Sequence, residues 1–140
     1  MFRHKKLPDN IQWLLPEAEV FLRSHPEVVF AYLFGSLAKG EPMPLSDVDI
    51  AIFVNDVVDF AETKLEILGR LTDILQTDEI DLVLLNTANL PLIHNVMKNH
   101  KLIVDKKPFE RHIFESLMMR KYFDFSIKES TMLKRRYLNG

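Results

Sequence analysis

The run Val28–Phe34 (VVFAYLF) constrains this chain more than any other segment. Its seven residues are all apolar and mostly β-branched or aromatic, which favours a strand over a helix at this length. No polar residue interrupts the alternation, so such a strand is buried, and strands of that kind need layers packed over the sheet. The flanking segments supply helices for those layers. From Asn10 to Arg23 the apolar positions Ile11, Leu14, Leu15, Ala18, Phe21 and Leu22 recur at helical spacing. Asp9 or Asn10 is placed to cap the start, and His25-Pro26 ends the segment. Pro16 falls inside it and predicts a kink or a break into two shorter helices.

Beyond the strand, Gly40-Glu41-Pro42-Met43-Pro44 excludes regular structure, and Asp47–Val54 (DVDIAIFV) reads as a second strand. Asp59–Gln76 is helical in pattern, with Leu65, Leu68, Leu71, Ile74 and Leu75 as its stripe. Ile80–Leu85 (IDLVLL) is a third strand, Leu90–Asn99 a short helix and Leu102–Asp105 a short strand. A long helical pattern then runs from Phe109 to about Arg136. The order predicts an α/β fold, a small mixed β-sheet covered by helices with a long C-terminal helix. At 140 residues the chain suffices for one compact domain, 1–140, and scarcely for two.

Composition removes several classes of function. The chain has no cysteine, which excludes disulfide frameworks, thiol catalysis and Cys-based zinc sites, and fits a reducing cytoplasm. The net charge of −2 gives no overall basic field for non-specific nucleic-acid binding, so no direct contact with nucleic acid is expected. The basic stretches Met1–Lys6 and Lys134-Arg135-Arg136 read as solvated termini. No apolar run is long enough to span a bilayer, and no hydrophobic region follows the basic start, so a cytoplasmic location is expected. His4, His25, His94, His100 and His112 show no metal-ligand spacing, and Trp13 and the methionines read as packing residues.

Three aspartates resist a packing explanation. Asp47, Asp49 and Asp81 lie at or inside apolar strands, where a carboxylate is costly unless paired or metal-bound. Positions i and i+2 of a strand face the same way, with Cα atoms ~6.5–7 Å apart. Two carboxylates at that spacing can converge on a pair of metal ions ~3.5–4 Å apart, and Asp81 could join them from a neighbouring strand. Neither lysine nor arginine adjoins them in sequence, so only a cation would relieve their mutual repulsion. Hard oxygen ligands with open positions favour magnesium. For Asp47, which follows Ser46 at a loop edge, a plain capping role is the rival reading.

Gly35-Ser36 supplies the complement. A turn directly after a buried strand can aim backbone N–H groups and a hydroxyl at a phosphate, and glycine lets the backbone approach closely. Lys39 lies near enough to add charge, although a solvated lysine is an equal reading.

Gly35-Ser36, ten intervening residues and then Asp47-Val48-Asp49 resemble the G-S-x10-D-x-D signature of DNA polymerase β-like nucleotidyltransferases. The wider string GSLAKGEPMPLSDVDIAIF is similar to that of the minimal nucleotidyltransferase (MNT) proteins, and Asp81 sits where that family's third carboxylate is expected. The resemblance implies the polymerase β-like fold and a magnesium-dependent reaction, with two ions held by Asp47, Asp49 and Asp81. It also implies ATP bound at Gly35, Ser36 and Lys39, with Asp81 helping to deprotonate an attacking hydroxyl. MNT proteins pair as antitoxins with HEPN-type RNase toxins and transfer AMP from ATP to a tyrosine of the toxin. The implied partners are therefore a HEPN-type RNase and a nucleoside triphosphate. A non-catalytic nucleotide-binding module that neutralises by occlusion is one alternative, and a small-molecule nucleotidyltransferase is another. The C-terminal helix suits a partner: Phe109, Ile113, Phe114, Leu117, Met118, Tyr122, Phe123 and Phe125 exceed what one core stripe requires, although an all-core reading is the simpler one.

Overall fold

A computed structural model describes residues 10–39 and 47–138. The loop expected at Gly40–Pro44 and the basic stretch Met1–Lys6 lie outside the described residues. Eight elements follow one another: α1 (Ile11–Ser24), β1 (Val28–Phe34), β2 (Val48–Val54), α2 (Phe60–Leu75), β3 (Ile80–Leu84), α3 (Leu90–Lys98), β4 (His100–Asp105) and α4 (Pro108–Leu138). The sheet order is β3-β2-β1-β4. β1 is antiparallel to β2 and to β4, whereas β2 and β3 run parallel, joined by α2 as the crossover that parallel strands require. The fold is therefore α/β with a mixed sheet, and β1, buried at all seven positions, lies inside it.

Alternation along the strands divides the core in two. Ala31, Leu33, Ile50, Ile52, Leu82 and Leu84 pack with Leu14, Ala18 and Leu22 of α1 and Ile67, Leu71 and Leu75 of α2. On the opposite face Phe30, Tyr32, Phe34, Ala51 and Val83 meet Ile93 and Val96 of α3 and Phe114 and Met118 of α4. Local signals set the ends. The Asp59 carboxylate accepts from the Glu62 N–H at 3.1 Å and caps α2, and Asn89 does the same for α3 through the Leu92 N–H at 2.9 Å. Such caps contribute about 1 kcal/mol each. Past the end of β3, Asn86 clamps the edge of β2: its side chain accepts from the Val54 N–H at 3.0 Å and donates to the Val54 carbonyl at 2.9 Å.

Several expectations need correction. Pro16 does not divide α1, which is one helix. Pro16 and Gln12 both face solvent, so the carbonyl that proline leaves without a partner is on the wet side. In α2 the buried stripe is Ile67, Leu71 and Leu75, and Leu65 is 68% exposed. Trp13, expected to pack, is 71% exposed. Asp81 is exposed rather than buried in its strand.

α4 departs furthest from the simple core reading. It has 31 residues and is about 46 Å long, roughly twice the ~23 Å of a seven-residue strand. Only its first half has a sheet beneath it. Phe114 and Met118 pack there, and a polar network fastens them: the buried Tyr32 hydroxyl donates to Glu115, Arg111 donates to Glu115 at 3.0 Å, and Arg111 Nε pairs with Asp105 at 3.1 Å. Burial and then Glu115 raise the Tyr32 pKa, so this phenol keeps its proton. Phe109, Ile113, Leu117, Phe123 and Phe125 are exposed. No helix among the described residues is long and apolar enough to cross a membrane.

Candidate functional site

The sheet register sets the site. Asp49 of β2 is the parallel partner of Asp81 at the start of β3 and the antiparallel partner of Phe34, the last residue of β1. Asp49 thus lies on the same face as Ala51, under α3 and α4, with Asp81 one strand away, about 4.8 Å in the pairing direction. β1 ends where Gly35 turns with φ +73, a left-handed conformation that L side chains rarely adopt. A side-chain carbon at Gly35 would collide with Asp49 Oδ2, so glycine is required here for the turn and for the approach. The Gly35 N–H donates to the Asn99 carbonyl at 3.3 Å, and the Lys39 N–H donates back to the Gly35 carbonyl at 3.3 Å. The turn Gly35–Lys39 is thereby closed over the end of the sheet.

These residues enclose a cavity of about 420 Å³. Gly35, Ser36, Lys39, Asp49 and Asp81 line it, which brings five of the six anticipated residues together. Asp47 is half-buried just before β2 and stands outside that lining. Its charge still reaches Asp49, whose pKa is pushed up to about 7 by burial first, then by Asp81 and Asp47. Phe34 at the end of β1 and three polar residues not foreseen complete the wall: Asn95, Lys98 and Asn99, from the last turn of α3 and the residue after it. Their i, i+3, i+4 spacing marks them as one polar helix face. That signal is present in the sequence, but it does not say what the face is turned towards.

Among the described residues, no three His, Asp or Glu side chains are gathered closely enough to hold a metal ion by themselves. The donor set nevertheless fits magnesium. That ion is usually held by one or two carboxylates, with substrate phosphates and water completing the octahedron, rather than by an all-protein cage. The repulsion that raises the Asp49 pKa is the kind a divalent cation converts to attraction. Around the same cavity, Lys39 and Lys98 offer positive charge, and Ser36, Asn95 and Asn99 offer neutral donors. A cavity lined by both carboxylates and cationic or neutral donors suits a metal-bound polyphosphate.

The family described as "Polymerase beta, Nucleotidyltransferase" matches residues 17–109. Among curated proteins there is no match. Of solved structures, a mutant of the toxin–antitoxin MntA–HpeT is similar with a TM-score of 0.65 and 25% identity, over 92% of this chain and 97% of that one. A toxin–antitoxin with AMP-PNP gives a TM-score of 0.66 at 24% identity, over 90% and 94%. The tri-AMPylated HEPN toxin in complex with MNT antitoxin from Shewanella oneidensis gives 0.61 at 22%, over 90% and 92%. The shared fold therefore spans most of the chain, the sheet and much of α4 included.

Proposed function

Because the chain belongs to the polymerase beta nucleotidyltransferase family, we propose that it is the antitoxin of a HEPN/MNT pair, a protein adenylyltransferase moving AMP from ATP to a tyrosine of a HEPN-type RNase. The observation that carries this reading is the Asp49–Asp81 pair lining one cavity together with the Gly35-Ser36 turn, which packs directly against Asp49. The similar structures, one with AMP-PNP and one with an AMPylated toxin, support the choice of nucleotide and acceptor.

In this reading the turn amides between Gly35 and Lys39 and the Ser36 hydroxyl donate to the terminal phosphates, and Lys39 and Lys98 balance their charge. The tyrosine oxygen bonds to the α-phosphorus as the bond to the β-phosphate oxygen breaks, and pyrophosphate leaves. The phenol proton passes to a carboxylate oxygen of Asp81. Magnesium bound at Asp47, Asp49 and Asp81 would supply neutralisation of the phosphate charge. Backbone amides and lysines hold the triphosphate in line, which converts the encounter into a positioned reaction.

A second reading, neutralisation by occlusion, is favoured by one feature: α4 exposes Phe109, Ile113, Leu117 and Phe123, an apolar surface that could hold a partner without turnover. Incubation with α-labelled ATP, magnesium and a HEPN-type RNase separates the two. Label on a partner tyrosine in the wild type, lost together with neutralisation in Asp49→Asn, is the expected result. Neutralisation that persists in Asp49→Asn without label would leave occlusion as the function.

A further inference from the structure

A second cavity, about 500 Å³, lies between α3 and α4 beside the carboxylate cavity. Lys98 belongs to the walls of both. Ile93, His94 and Met97 line it from α3, and Met118, Met119 and Tyr122 from α4. The His94 and Tyr122 rings are stacked with centroids 3.9 Å apart and planes within 1°. We propose that this cavity is the acceptor pocket, receiving the tyrosine ring that the partner protein presents. The proposal rests on the adenylyltransferase reading and says where its second substrate binds.

Three observations select this occupant. The first is continuity: a phenol seated here with its hydroxyl at Lys98 is one side chain away from the cavity that holds Asp49 and Asp81. The second is wall chemistry. Thioethers and stacked rings accept an aromatic ring by edge and face, and methionines adapt to its shape. A purine instead needs several donors and acceptors around its edge, and two of the polar lining residues, Glu115 and His100, already have partners. Glu115 takes the Tyr32 hydroxyl and Arg111, and His100 Nδ1 faces the Met97 carbonyl at 2.9 Å. A phenol needs one polar partner, and Lys98 supplies it. The third is access. Met119 and Phe123 line the cavity yet are 74% and 64% exposed, on the same helix as the exposed Phe109, Ile113 and Leu117. A protein that covers α4 therefore also covers this opening.

The test uses the full chain with 13C-methyl methionine and N-acetyl-tyrosinamide as the probe. Titration should move the Met97, Met118 and Met119 methyl signals together, with the weak, millimolar-range saturation expected of one small aromatic group, and leave Met132 still. Met119→Glu, which replaces the thioether at the opening with a carboxylate that keeps its own water, should weaken that binding by about tenfold. Movement of the same three signals by magnesium–ATP but not by the tyrosine probe would assign the cavity to the base and overturn the proposal. No movement up to the solubility limit of the probe would also overturn it. The adenylyltransferase reading fails separately, when wild-type protein that binds the probe still transfers no label to a HEPN-type RNase.

Discussion

Replacing Asp49 with asparagine should make the metal-free protein more stable at alkaline pH while abolishing AMP transfer. The Asp49 pKa rises from 3.8 to about 7 in the fold, through burial and then Asp81 and Asp47. Between those values the folded chain holds one proton that the unfolded chain has released. Stability contributed by the protonated group is therefore fully present below about pH 4, declines as pH rises, and is gone above about pH 7. At ~1.4 kcal/mol per unit the shift corresponds to at most about 4 kcal/mol. Solvent screening at a half-buried cavity wall reduces that to roughly 2 kcal/mol. Asparagine keeps the shape and never ionises, so Asp49→Asn should exceed the wild type by about 2 kcal/mol at pH 8, or roughly 5–10 °C in Tm. At pH 4.5, where the folded wild-type group is protonated, only about a quarter of that difference should remain. Urea denaturation in the presence of a chelator at both pH values measures this directly. A variant less stable than the wild type at pH 8, or a difference independent of pH, would refute the electrostatic account of the site.

Further outcomes follow from the same contacts. Magnesium–ATP at about 100 times its Kd should raise wild-type stability by ~2.7 kcal/mol at pH 8, read as a Tm shift, and should leave Asp49→Asn unmoved. Gly35→Ala forces a φ of +73 on an L residue and a collision with Asp49 Oδ2. It should lose about 1–2 kcal/mol in urea denaturation from the backbone alone, and label transfer with it. Asn86→Ala removes both hydrogen bonds to Val54, and should lower stability by roughly 2 kcal/mol with little effect on ATP affinity measured by calorimetry. Tyr32→Phe leaves the partly buried Glu115 without its phenol donor, and should lower the Tm by the equivalent of about 1–2 kcal/mol.

The sequence carried the element order and much of the site, because both depend on short-range patterns. Val28–Phe34 and the Asp47–Asp49 pair are legible as strand and strand edge without any knowledge of their neighbours. What could not be read depends on which way an element faces. α2 has apolar residues at 65, 67, 68, 71, 74 and 75, more than half its circumference. Periodicity alone does not choose the Ile67-Leu71-Leu75 stripe that the sheet covers over the one containing Leu65. Asn95, Lys98 and Asn99 were missed for the same reason, since their role comes from the docking of α3 over the end of β1. Asp81 was expected to be buried because its strand is apolar, yet it is the second residue of β3, where the strand emerges from under the helices. For α4, length against a four-stranded sheet decides exposure, and composition carries no measure of sheet size.

Fold and chemistry are interleaved on β2, residue by residue. Val48, Ile50 and Ile52 enter the core with α1 and α2, whereas Asp49 and Ala51 face α3 and α4. Moving the register by one residue would exchange the two sets, putting the Asp49 carboxylate into an apolar core and Ile50 into the cavity. Hydrophobic burial therefore holds the carboxylate in place: Val48, Ile50 and Ile52 are each at most 1% exposed, and burying each contributes about 1.5–3 kcal/mol. The same register brings Asp81 beside Asp49 and brings Asp49 against Gly35, so a single pairing error would dismantle the carboxylate pair and the phosphate turn together. The same constraint fixes where an acid can sit within β2, at Asp49. Acids can occupy only the positions of β2 that the α1/α2 core does not claim, and on a strand those positions are two apart.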